Sequence, residues 1–80
     1  MITPAQIRAA RSLLGWKQSD LAKASDLSLT ALNNIERGAA DPRASTLQAI
    51  QHALERAGVT FIDEDGGGVG VRLKRASRRS

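Results

Sequence analysis

Apolar residues recur at spacings of three and four through residues 1–58 and then give way to two short β-prone runs. This pattern predicts a helical body followed by a β ribbon. The first helix opens at Thr3-Pro4-Ala5-Gln6, where a capping threonine, a proline in the first turn and Gln three residues after the cap form a capping-box arrangement. Ile7, Ala10, Leu13 and Leu14 make its apolar stripe, Arg8 and Arg11 lie on neighbouring faces, and Gly15 is a natural stop. Trp16 begins the next segment, and a short second helix is expected at about 18–25, with Leu21, Ala22 and Ser25 placed to pack. A third helix lies within residues 28–38, with Ser28 as its cap and Gly38 closing it in the left-handed conformation. A loop at 39–43 leads to a fourth helix at about 44–57, striped by Leu47, Ile50, Ala53, Leu54 and Ala57 and ended by Gly58. Residues 59–62 and 69–73 then pair as a hairpin around an acidic, triple-glycine turn.

Two short helices joined by three or four residues form a helix-turn-helix, and the small Ala22 and Ser25 let the two backbones approach closely. On the third helix Ala31, Leu32 and Ile35 share one face. The other face carries Leu29, Thr30, Asn33, Asn34 and Arg37. A face of amides and hydroxyls ending in a cation suits the reading of base edges in a DNA major groove. Surface helices are also polar for no special reason, so an ordinary solvated face is the alternative.

The run at 18–38, Gln-Ser-Asp-Leu-Ala-Lys-Ala-Ser-Asp-Leu-Ser-Leu-Thr-Ala-Leu-Asn-Asn-Ile-Glu-Arg-Gly, closely resembles the helix-turn-helix of the phage repressor and Cro-like transcriptional regulators, the XRE family. The matching signals are Gln18, Leu21-Ala22, Leu27-Ser28, Leu32 and Ile35-Glu36-Arg37-Gly38, followed by Pro42 and Thr46-Leu47, and the resemblance covers roughly residues 4–58. It implies a mainly α fold: a compact four- to five-helix repressor-like bundle, here with a short C-terminal β-hairpin appended. Three positions depart from the family pattern. Asp26 stands where a turn glycine is usual, Lys17 replaces a Ser/Thr cap, and Leu29 replaces a commonly polar reading-face residue. Leucine there can touch a thymine methyl, or serve a protein contact.

The resemblance also assigns roles. Gln18 matches a phosphate-anchoring glutamine that buttresses the reading helix, and Leu29, Thr30 and Asn34 match base-facing positions. Ser28 and Asn33 lie near the sugar-phosphate edge, while Arg37 and Arg43 hold phosphates through and beside the loop between them. Glu36 is expected to form a structural ion pair with Arg11. A domain this small reads few bases, so a two-fold dimer on a palindromic operator is implied.

Composition narrows the picture further. Eighty residues make one domain near the lower limit for a self-sufficient core. The absence of cysteine rules out disulfides and thiolate metal sites. Apolar runs fall far short of the about 18 residues a membrane span needs, and the opening Met-Ile-Thr-Pro lacks the plan of a signal peptide, so the cytoplasm is the expected location. The net charge is +4, with five Lys/Arg and no acid in residues 72–80, which is compatible with a polyanionic partner. One Trp, one Phe and no Tyr argue against a base-stacking single-strand binder.

No nucleophile–base pair or metal cluster is visible, and His52 reads as a surface residue, so neither an enzyme nor a cofactor is expected. The division expected is a DNA-binding domain at 1–58, a hairpin at 59–73 serving dimerisation through Val59, Phe61, Val69, Val71 and Leu73, and a disordered basic tail at 74–80. The expected partners are double-stranded DNA and a second copy of the chain, with a second regulatory protein as a further possibility. The competing reading from another class is a protein-binding module, such as an antitoxin or an antiactivator that sequesters a regulator.

Overall fold

The computed structural model describes residues 1–63 and 66–74. The first helix, α1 (Pro4–Leu14), starts with both halves of its capping box made. Thr3 Oγ1 accepts from the Gln6 backbone N–H at 3.1 Å, and the Thr3 N–H donates to Gln6 Oε1 at 2.9 Å. Ile7 and Ala10 are buried and Leu14 packs against the core, but Leu13 remains 44% exposed. At roughly 100° per residue Leu13 points to a flank of the helix well away from Leu14, so it falls outside the stripe expected of it.

Helix α2 (Gln18–Ala24) ends one residue before the expected boundary, with Ser25 as its C-cap. Lys17 offers no side-chain acceptor, so only the reciprocal half of a capping box forms, the Lys17 N–H donating to Asp20 Oδ2 at 2.8 Å. Helix α3 (Leu29–Glu36) is capped by Ser28 Oγ, which accepts from the Ala31 N–H at 3.0 Å. Helix α4 (Ala44–Arg56) buries Ile50, Ala53 and Leu54 and packs on α1, α2 and the first strand.

The first three helices close by one device. After α1, the Gly15 N–H reaches Ser12 O and the Trp16 N–H reaches Arg11 O. After α2, the Asp26 N–H reaches Lys23 O and the Leu27 N–H reaches Ala22 O. After α3, the Gly38 N–H reaches Ile35 O and the Ala39 N–H reaches Asn34 O. Each is a Schellman closure with a left-handed residue at its centre: Gly15 at φ 69, Asp26 at φ 60 and Gly38 at φ 74. Asp26 makes this turn despite carrying a Cβ.

Strands β1 (Val59–Ile62) and β2 (Gly70–Leu73) pair antiparallel, Val59 opposite Leu73 and Phe61 opposite Val71. The ribbon is not left to itself. It lies across α1, and β1 also meets α4. Gln6, buried by this contact, donates its side-chain amide to Gly70 O at 2.9 Å and Ile62 O at 3.4 Å. Val59 is 0% exposed and joins Ile7, Leu21, Leu32, Ile50 and Leu54 at the centre of the core. This corrects the expectation that Val59 faces a partner chain: α1 and α4 already cover it. Residues 75–80, most of the basic tail, lie outside the described residues.

Candidate nucleic-acid interface

The turn from α2 to α3 brings the two helices together over small side chains. Ala22 and Ser25 are both buried, and Ser25 Oγ donates back to Leu21 O at 2.6 Å, so its hydroxyl is satisfied within its own helix end. Leu32, Ile35 and Glu36 turn inward from α3. Leu29, Thr30, Asn33 and Arg37 stay exposed and Asn34 is half-buried, at spacings that keep all five on one side. Leu29 is 51% exposed, an unusual position for a leucine on an otherwise polar face. Ser28 is exposed at the head of α3, and Arg43 is exposed at the N-cap of α4.

A buried acid fixes the back of this helix. Glu36, 2% exposed, receives Arg11 Nε on Oε2 and Arg11 Nη2 on Oε1, both at 2.8 Å. The third Arg11 donor, Nη1, reaches Trp16 O at 3.0 Å, so the guanidinium ties α1, the start of the α2 segment and α3 together. Gln18 completes the network. Its Nε2 donates to Glu36 Oε1 at 3.2 Å, and its Oε1 accepts from Asn33 Nδ2 at 3.3 Å. The orientation of the Asn33 amide is thus coupled to the buried pair through one side chain.

Of the residues singled out from sequence, Arg11, Gln18, Asn33, Glu36 and Arg37 come together around one cleft. Arg43 is not among its lining residues. Of the residues offered for a dimer contact, Phe61 and Val71 are half-buried against the core, while Val69 and Leu73 are exposed. Arg8 was not singled out, yet it lines the same cleft and its Nη1 donates to the Glu36 carbonyl at the end of α3. Only its place beside Arg11 on the first helix hinted at this. Among the described residues no group of three His, Cys, Asp or Glu side chains is placed to hold a metal ion, and no helix is long and apolar enough to cross a membrane.

Two helices packed across a tight turn, the second with its polar side outward, define a helix-turn-helix protein. The helix-turn-helix family model matches residues 7–59, more than half of the chain. The chain is 42% identical over 50 residues to uncharacterized HTH-type transcriptional regulators of Mycobacterium bovis and Mycobacterium tuberculosis. The match covers 62% of this chain and 20% of each relative, so the chain spans about a fifth of the length of the curated relatives it matches. The chain belongs to the XRE-type helix-turn-helix family.

Proposed function

We propose that this chain is a sequence-specific double-stranded DNA-binding transcriptional regulator, acting as a repressor, with α3 in the major groove. The observation that carries the reading is the outward side of α3, where Leu29, Thr30, Asn33, Asn34 and Arg37 stand together on a helix held from behind by Glu36. An asparagine amide can pair bidentately with adenine, a contact that discriminates by about 1–3 kcal/mol, and the leucine can meet a thymine methyl. Arg37, Arg43 and Gln18 then hold phosphates, which position the protein without reading sequence. Two copies reading a palindrome would place half-site centres about 34 Å apart, and occlusion of a promoter would give repression.

The test is titration of the chain against its own promoter DNA and against random duplex at several salt concentrations. Specific binding shows as an excess over random sequence, and both weaken as salt rises. Equal, salt-insensitive or absent binding to both would overturn the reading. The half-exposed Leu29 favours a second reading, a protein-binding module that sequesters a partner through the same face. Failure to bind any duplex, with loss of a protein partner on Leu29→Asp, would support it.

A further inference from the structure

The cleft behind the α3 face has a volume of about 290 Å³ and is lined by Arg8, Arg11, Gln18, Asn33, Glu36 and Arg37. Its charges do not balance: three guanidinium groups surround a single carboxylate. That carboxylate is already fully used, both oxygens being taken by Arg11 and one also by the Gln18 amide. Arg11–Glu36 is the one salt bridge among the described residues, so Arg8 and Arg37 meet no carboxylate there.

Arg8 is nevertheless held in place. Its Nη1 donates to the carbonyl of Glu36, the last residue of α3, at the negative end of that helix's dipole. This contact uses one N–H and covers the carbonyl that would repel an anion. The guanidinium keeps further N–H donors, and Arg37, which follows Glu36 as the C-cap of α3, lines the same cleft. Two guanidinium groups lining one cleft, one of them held by a hydrogen bond and neither in a salt bridge among the described residues, fit a tetrahedral oxyanion that both can grip through paired N–H donors. Asn33 and Arg37 belong to the exposed side of α3 and also line the cleft, so a duplex laid on that side would carry its backbone past the rim.

We propose that Arg8 and Arg37 together seat one backbone phosphate of bound DNA at the rim of this cleft, which makes Arg8 a DNA-contacting residue on the first helix. The inference rests on the DNA-binding reading above and adds one phosphate shared by two arginines.

The experiment measures binding of the full chain to a random-sequence duplex of about 20 base pairs across a salt series. Wild type, R8A, R37A, the double variant R8A/R37A and R8K are compared, with the melting temperature of each recorded. Each alanine variant is expected to lose about tenfold in affinity at low salt. The double variant should lower the slope of log K against log salt by about one phosphate's worth, close to 0.9, and no more, because both groups serve the same phosphate. R8K keeps the charge and should retain most of the slope. R37A removes an exposed side chain and should melt like wild type, so it tests the seat even if R8A is less stable. A wild type that binds while R8A and R37A keep its slope and affinity overturns the inference and leaves the DNA reading intact, as does an R8A that only melts lower. A double variant losing about two phosphates' worth overturns the shared seat. A wild type that binds no duplex overturns both readings.

Discussion

The Gln6 side-chain amide lies 2.9 Å from the carbonyl oxygen of Gly70, joining the first turn of α1 to the start of β2 across most of the chain. The same side chain accepts from the Thr3 N–H, so one glutamine both caps the helix and holds the ribbon. A two-stranded ribbon is barely stable in isolation. Here α1, this amide and the burial of Val59 make it part of the folded body.

Gln6→Glu separates the two jobs. The carboxylate still accepts from Thr3 N–H, but it can no longer donate to Gly70 O and Ile62 O and places a negative charge beside them. Burying that mismatch is expected to cost about 2–3 kcal/mol, more than Gln6→Ala. Urea denaturation gives the stability loss, and amide exchange should quicken first in β2. A Glu variant as stable as wild type would show that the contact is incidental.

Asp26 supplies a second prediction, since it makes a left-handed turn that Gly15 and Gly38 make without a Cβ. Asp26→Gly relieves the strain but adds backbone freedom to the unfolded chain, and the balance should favour the fold by about 0.5 kcal/mol. In a domain of this size that raises the melting temperature by about 2–4 °C. Asp26→Val, a β-branched side chain at the same φ, should lower stability by more than about 1 kcal/mol. Circular dichroism melts check both, and a Val variant equal to wild type would remove the strain argument.

The buried ion pair leads to a third. Arg11 is 20% exposed at its side chain and Glu36 is 2% exposed, so deleting the arginine leaves a buried carboxylate whose remaining side-chain hydrogen bond is from the Gln18 amide. Arg11→Ala is expected to cost about 3–5 kcal/mol. Arg11→Met combined with Glu36→Leu should recover much of that loss, because no lone charge is then left behind. If the double variant is no more stable than Arg11→Ala, the penalty does not come from a stranded charge.

Local rules made most of the architecture legible. The capping box at Thr3, the stops at Gly15 and Gly38 and the apolar stripes of α3 and α4 are each read within about ten residues of sequence. Relations between distant segments were harder to see. Whether Arg8 meets the end of α3, or Gln6 the end of β2, depends on how α1 is set against them, which no spacing within α1 encodes. The burial of Val59 within its own chain is another such long-range relation. Its apolar character marks it for burial, but only the packed α1 and α4 decide that its own chain does the burying. Leu13 differs the other way: a spacing of three from Ala10 matches the stripe, but its direction leaves it 44% exposed.

If the outward side of α3 reads base edges as proposed, the half-buried Asn34 and the exposed Leu29 should affect sequence preference, and Arg37 overall affinity. Asn34→Ala is expected to relax discrimination at one base pair by about 1–3 kcal/mol, with random-sequence binding nearly unchanged. Leu29→Ala should reduce preference for a thymine at its position by a smaller amount, having only an apolar contact to lose. Binding-site selection from a randomised duplex pool, run on wild type and each variant, reads both effects. An Asn34→Ala pool identical to wild type would remove Asn34 from the base-reading set.

Dimerisation requires a different test from truncation. Ending the chain at Gly58 would remove Val59 from the core along with the contacts of β1 on α1 and α4, so loss of the dimer and loss of the fold could not be told apart. Val69 and Leu73 are the exposed apolar residues of the ribbon segment, and charging them leaves the core untouched. If two copies associate through this ribbon, Val69→Lys with Leu73→Glu should yield a folded monomer in sedimentation velocity. Its operator affinity should fall steeply while the monomer's helical signal and melting temperature stay near those of wild type. A doubly charged variant that sediments as the same dimer as wild type would place the contact elsewhere on the molecule.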